Sequence, residues 1–215
     1  AGWYYVTVTD AISCQVVDSV FITEPTPLTL NTTGTNLQCA NTPTGAVFTD
    51  VTGGTGPNYL WVWDGPNGTL NPQDDNCGQQ TQSCFNTLEA GWYYVAVTDG
   101  NNCTSSDSIE LTEPDTLLAN ISSSNPSCNG ASDANVLASA SGGITGIFSN
   151  YQYIWNNAAT SSSISGLSSG VYIVTVTDDN LCQVVDSVIV TDPQPFSISF
   201  SVIDVFCYGD SSGQA

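Results

Sequence analysis

Three stretches of the chain read almost alike: GWYYVTVTD at 2–10, GWYYVAVTD at 91–99 and GVYIVTVTD at 170–178. Apolar and polar positions alternate with a period of two, which belongs to a half-buried strand. In 91–98, Tyr93, Val95 and Val97 fall on one face, and Trp92, Tyr94, Ala96 and Thr98 fall on the other. The surroundings repeat as well. A Cys follows each stretch (Cys14, Cys103, Cys182), then an Asp-Ser-apolar step beginning at Asp18, Asp107 and Asp186. An acidic-Pro pair comes next (Glu24-Pro25, Glu113-Pro114, Asp192-Pro193), and a second Cys at Cys39, Cys128 and Cys207. The copies start 89 and 79 residues apart (2 to 91, 91 to 170).

A period of that size is too long for a solenoid turn and suits a small β-sandwich. Cutting at the acidic-Pro pairs gives the end of one domain (1–25), two whole domains (26–114 and 115–193) and the start of another (194–215). In the first whole domain the alternation places strands A (28–33), B (46–52), C (59–63), E (82–88), F (92–98) and G (107–112). In the second it places them at 116–122, 134–140, 151–155, 161–166, 171–177 and 186–191. Gly53-Gly54 and Gly142-Gly143 form turns between B and C. Leu167, Gly170 and Tyr172 lead into strand F as in the tyrosine corner of Ig-like sandwiches. The expected fold is all-β: tandem Ig-like domains of the PKD or fibronectin-III kind, joined by short Pro-containing linkers into a rod.

Composition limits the chemistry. The chain of 215 residues holds 20 Asp and Glu, no Lys, Arg or His, and a formal net charge of −20. Gripping phosphates requires cationic side chains, so nucleic acid and nucleotide partners are excluded. The same lack removes attraction to anionic membranes, Schiff-base lysines and every His-dependent catalytic or metal site. No run approaches the ~18 apolar residues of a membrane helix, so no membrane insertion is expected. The 40% hydrophobic content, with five Trp and nine Tyr, argues against disorder. Asp64, or the pair Asp74-Asp75, is all that a carboxylate-based glycosidase could use, and no enzyme is expected.

The motif set resembles the SprB-type repeat. The resemblance rests on Cys128, Gly142, Gly143, Tyr151, Tyr153, Trp155, Leu167, Gly170, Tyr172, Val174, Val176, Thr177, Asp178, Cys182, Asp192 and Pro193, and it covers nearly the whole chain. That family occurs in giant cell-surface adhesins of Bacteroidetes, some of which serve gliding motility. The resemblance implies a secreted, extracellular, repetitive filament at the cell surface. The Asp-Ser-apolar steps, with Asp115-Thr116-Leu117, are similar to the short O-glycan acceptor of such bacteria, which would place sugar on Ser19, Ser108, Ser187 and Thr116.

Eight Cys suggest an oxidising compartment. Cys77 and Cys84 lie in a ten-residue insertion (89 against 79) that the second domain lacks, and a local bridge between them is expected. Pairing the others along the chain (Cys14–Cys39, Cys103–Cys128, Cys182–Cys207) would span two strands, beyond the ~7 Å limit between Cα atoms. Three arrangements stay open: Cys39–Cys182, joining the A–B turn of one domain to the F–G turn of the next; Cys39–Cys103 with Cys128–Cys182, within domains; and free thiols.

Two further features are candidates. Glu113, Asp178 and Asp179, at strand ends beside the linkers, are carboxylates that Ca²⁺ would accept; otherwise no cofactor is implied, and plain turn-capping is the alternative. The outward faces of strands C and F carry Trp92, Tyr94, Leu60 and Val62 in the first whole domain and Val171, Ile173 and Ile154 in the second. Trp3, Tyr5 and Phe21 echo them near the N-terminus. An isolated sandwich has no need of such a stripe, and exposed apolar patches mark contact surfaces. The expected partners are other copies of the chain or neighbouring repeats, and surfaces or polysaccharides. The function expected is a structural or adhesive filament segment; a polysaccharide-binding module and the passive stalk of a surface enzyme are the alternatives.

Overall fold

The computed structural model describes residues 1–56, 58–71, 75–77, 79–146, 151–205, 207–209, 211 and 213. It contains strands and turns, and among the described residues no helix is long and apolar enough to cross a membrane. The chain divides into two compact units, Ala1–Thr116 and Leu117–Ala215.

The first unit opens with an antiparallel hairpin, β1 (Gly2–Thr9) and β2 (Gln15–Ile22). The sandwich follows: β3 (Thr29–Thr35), β4 (Gly45–Thr52), β5 (Leu60–Gly65), β6 (Gly68–Thr69), β7 (Gln82–Leu88), β8 (Gly91–Thr98) and β9 (Thr104–Leu111). One sheet has the order β3-β4-β7 and the other β6-β5-β8-β9. Lettered from A, these are A-B-E and C′-C-F-G, the two sheets of an Ig-like sandwich. Alternation decides which side of each strand is buried. Val47 and Val51 from β4, Phe85 and Leu88 from β7, Trp63 from β5, Tyr93, Val95 and Val97 from β8 and Leu111 from β9 form one core.

The second unit repeats the plan with β10 (Leu118–Ser123), β11 (Ala134–Ser141), β12 (Gln152–Trp155), β13 (Ser163–Leu167), β14 (Gly170–Thr177) and β15 (Gln183–Val190). Its sheets are β10-β11-β13 and β12-β14-β15. Its core gathers Ala134, Val136 and Ala138 from β11, Trp155, Ile164, Leu167, Val174, Val176 and Val190. Both units are therefore all-β, Ig-like sandwiches.

The structure differs from the sequence expectation at several strand ends and in one added strand; strands A and E of the second unit start at Leu118 and Ser163 rather than at 116 and 161. Both G strands begin three residues before the expected start, at Thr104 and Gln183, because the preceding loop is tight enough for Thr98 to pair with Thr104 and Thr177 with Gln183. Strand β6 was not expected; at two residues it is too short to show alternation. In the β1–β2 hairpin both faces are exposed. Tyr4, Val6 and Val8, whose counterparts Tyr93, Val95 and Val97 are buried, are as open as Trp3 and Tyr5.

Candidate binding face

Strands C and F, neighbours in the sheet that also holds strand G, are held by polar anchors that recur in both units. Buried Trp63 of β5 donates its Nε1–H to Ser83 Oγ at 3.1 Å. That hydroxyl donates onward to Asp75 Oδ2 at 2.7 Å. The other Asp75 oxygen accepts the backbone N–H of Cys77 and of Cys84 at 2.9 and 3.1 Å. In the second unit Trp155 donates instead to the Ser161 carbonyl at 2.8 Å. Tyr93 donates its hydroxyl to the Glu89 carbonyl at 3.0 Å, and Tyr172 to the Ser168 carbonyl at 2.9 Å. These contacts, four residues back along the chain, form the tyrosine corner that enters strand F. Burial raises the Tyr93 pKa, with the Glu89 charge adding to it, so the hydroxyl keeps its proton and its role as donor.

At the far end of strand F one carboxylate closes two turns. Asp99 Oδ1 accepts the N–H groups of Asn101 and Cys103 at 2.9 and 2.8 Å. Its Oδ2 accepts the N–H and hydroxyl of Thr55 at 2.8 and 3.0 Å. These bonds, that from the Thr55 amide first, lower the pKa to about 2 against the opposing effect of burial. Asp178 repeats the arrangement with Asn180 and Cys182 on Oδ1 and the Ile144 N–H on Oδ2. Asp10 does the same for Ile12 and Cys14. The Gly-Gly turns make room for this. Gly54 has φ +63° and Gly143 φ +64°, and a Cβ on either would lie 2.9 or 2.6 Å from the Asp oxygen.

With strand F fixed at both ends, register decides what lies beside each outward side chain. Leu60, Val62, Trp92 and Tyr94 are exposed on the outer face of the first sandwich, as are Ile154, Val171 and Ile173 on that of the second. The two faces differ in their neighbours. In the first unit Trp92 stands opposite Glu110, Tyr94 lies between Asp64 and Ser108, and Ala96 lies between Val62 and Ser106. The Trp92 and Tyr94 rings are stacked, with centroids 6.3 Å apart and planes 23° apart. Ala96 leaves a shallow open groove of about 390 Å³ beside Tyr94, bordered by Val62, Asp64, Ser106, Asp107 and Ser108. In the second unit Val171 faces Ile189, Ile173 faces Ser187, and Thr175 lies between Ile154 and Val185. No carboxylate stands on those rungs. Sequence reasoning missed Glu110 and Ser106 and placed Asp64 only as a glycosidase candidate; alternation within strands C and G carries the signal once register with F is known.

The other candidate residues have local roles. Glu113 accepts the Asn41 N–H at 2.7 Å, and Asp179 accepts the Gly146 N–H. Asp75, Cys77 and Cys84 bring their ligand atoms together, but the two sulfurs are bonded to each other and both Asp75 oxygens are hydrogen-bonded. Asp74 lies outside the described residues, and Asp64 sits on an open sheet face. Ser19, Ser108, Ser187 and Thr116 are exposed; the N–H of each Ser bonds the Oδ1 of the preceding Asp at 2.8 Å.

Cys77–Cys84 is a disulfide with Cα atoms 5.4 Å apart. Cys14, Cys103, Cys128 and Cys207 are free and exposed. Neither Cys39–Cys103 nor Cys128–Cys182 is therefore formed, which removes the pairing within domains. Cys39 lies between β3 and β4, and Cys182 ends the loop before β15.

No protein-family profile matches the chain, and no curated protein is similar to it. Among solved structures, the chain is similar to one described as the structural basis for Dscam isoform specificity, with 11% identity over 85% of this chain and 52% of that one, at a TM-score of 0.35. It is also similar to the full ectodomain (Ig1–Ig3) of mouse nectin-like molecule 4, with 11% identity over 79% of this chain and 66% of that one, at a TM-score of 0.34. The chain thus spans about half and about two thirds of those structures, and likeness at this level is too distant to bear on function.

Proposed function

We propose that the chain is a structural and adhesive segment of a secreted bacterial surface filament, of the SprB-type repeat kind. The observation that carries this reading is the outer sheet face. It carries exposed apolar side chains in both sandwiches, although each core is complete without them. A disulfide inside the first sandwich favours an extracellular site, and a chain without Lys, Arg or His has little to catalyse with. Binding to surfaces and to other copies is the role left to such faces. Motility, O-linked sugar on the Asp-Ser steps and Ca²⁺ at Glu113, Asp178 and Asp179 rest on the repeat resemblance and on composition. A fall in melting temperature on adding EDTA would support the ion.

Beads coated with the full chain and washed under flow over glass and polysaccharide films test this reading. Retention above that of uncoated beads supports adhesion; release equal to that of uncoated beads leaves the passive stalk. The polysaccharide-binding alternative draws on the stacked Trp92 and Tyr94 rings. The Cys39–Cys182 pairing belongs to the same reading. Peptide mapping under non-reducing conditions, with a protease that needs no Lys or Arg, tests it: a Cys39–Cys182 peptide is expected, and a Cys39–Cys103 peptide would exclude it.

A further inference from the structure

We infer that the outer face of the first sandwich is a site for a polysaccharide bearing protonated amines, held by Trp92 and Tyr94 between the carboxylates of Asp64 and Glu110. This rests on the adhesive reading and names its ligand. Three rows run along the face. Strand β9 presents the exposed hydroxyls Thr104, Ser106 and Ser108. Strand β8 presents the aromatic pair and then Ala96, and strand β5 presents Leu60, Val62 and Asp64.

Aromatic faces accept both the apolar face of a sugar ring and a cation, Trp best of all. Residues directly opposite on neighbouring strands have Cβ atoms ~5 Å apart. Glu110 beside Trp92, and Asp64 beside Tyr94, are therefore placed to receive ammonium groups on a ligand that covers the rings. The hydroxyl row supplies hydrogen bonds to sugar hydroxyls. The groove is shallow and open, with the small side chain of Ala96 at its middle and Asp107 adding a carboxylate to its border, which suits a chain laid across it better than a compact molecule.

Charge selects among occupants. With 20 acids and no Lys or Arg, no side chain of this protein can neutralise Asp64 or Glu110. A second copy presenting this face would add two more carboxylates, and an anionic polymer would be repelled. The second sandwich lacks the acids on its matching rungs, so it serves as an internal control.

Isothermal titration of the full chain tests this, with three probes matched in length: a glucosamine oligomer at a pH where its amines are protonated, its fully N-acetylated counterpart, and oligolysine. The parent chain is expected to bind the glucosamine oligomer most tightly. Trp92→Ser with Tyr94→Ser should weaken that binding about tenfold, as should Asp64→Asn with Glu110→Gln. Val171→Ser with Ile173→Ser should leave it unchanged. Equal binding by parent and aromatic variant would overturn the site and leave diffuse attraction to the net charge. Equal binding of the N-acetylated oligomer would overturn the requirement for amines, and tighter binding of oligolysine would assign the face to a basic peptide. Should the aromatic variant unfold, the Asp64→Asn, Glu110→Gln pair carries the test alone. Beads retained on surfaces while the variants bind glucosamine like the parent sink the site but spare the adhesive reading; beads retained nowhere sink the adhesive reading itself.

Discussion

Asp99 carries two turns on one carboxylate, and its chemistry gives a measurable signature. In the unfolded chain an Asp titrates near 3.9, whereas here the bonds from Thr55, Cys103 and Asn101 hold it at about 2. The folded form therefore takes up the proton less readily. The stability Asp99 contributes is complete above about pH 4 and is lost as pH falls through about 2. Asp99→Asn should lower the urea midpoint of the first unit at neutral pH and flatten its decline between about pH 4 and 2, followed by tryptophan fluorescence. An unchanged acid limb would mean that other carboxylates dominate it. Glycine at the same loop gives a second test. A Cβ on Gly53, at φ +78°, would lie 1.9 Å from the Pro27 carbonyl oxygen, whereas one on Gly68, at φ +104°, meets nothing within 4 Å. Both substitutions strain the backbone, but only the first adds a clash with main chain. Gly53→Ala should destabilise by about 2 kcal/mol more than Gly68→Ala, measured by thermal or urea unfolding of the full chain.

At the scale of elements, strand F is defined by its ends. The tyrosine corner fixes its entry and the Asp loop its exit, so its alternating faces cannot slip in register. Removing the hydroxyl leaves the ring packed but the Glu89 carbonyl without its donor. Tyr93→Phe should cost the first unit about 1 kcal/mol, and Tyr172→Phe less in the second, where the bond is exposed to water; a midpoint shift in neither would show the corner to be ornamental. This also explains what the sequence made legible. Strands C and F were readable because Tyr, Trp or Val stands at every second position there, and because the pattern recurs. The start of strand G in the first unit was not, since Thr104, Ser105 and Ser106 are polar on both faces and resemble a loop until Thr104 is seen opposite Thr98. Asp75 was read as part of a carboxylate pair because nothing local marks a side chain that reaches Ser83 and the backbone of Cys84. Outwardness of Trp92 and Tyr94 follows from one strand alone. Their flanking acids depend on the register of three strands, so the contrast between the two outer faces could not be read from the chain.

For the whole molecule, a net charge of −20 opposes any contact between copies, and that repulsion can be tuned. The Debye length falls from about 10 Å at 0.1 M salt to about 3 Å at 1 M, whereas apolar burial contributes ~25 cal/mol per Å² and persists. The face best suited to a second copy is that of the second sandwich, where Ile154, Val171, Ile173, Val185 and Ile189 are exposed without a carboxylate among them. Sedimentation velocity of the full chain should therefore show monomers at low salt and increasing association as sodium chloride is raised. Ile154→Ser with Val171→Ser and Ile173→Ser should suppress that association while leaving unfolding cooperative, since none of the three side chains belongs to the core. Trp92→Ser with Tyr94→Ser should leave it intact, because screening weakens the repulsion of Asp64 and Glu110 without giving them a counter-charge. The opposite pattern, association lost with the aromatic pair and retained without the aliphatic residues, would reverse the assignment of the two faces. Association that survives both sets of substitutions would move the contact to the β1–β2 hairpin, where Trp3, Tyr5 and Phe21 are exposed with no acid on the opposing rungs.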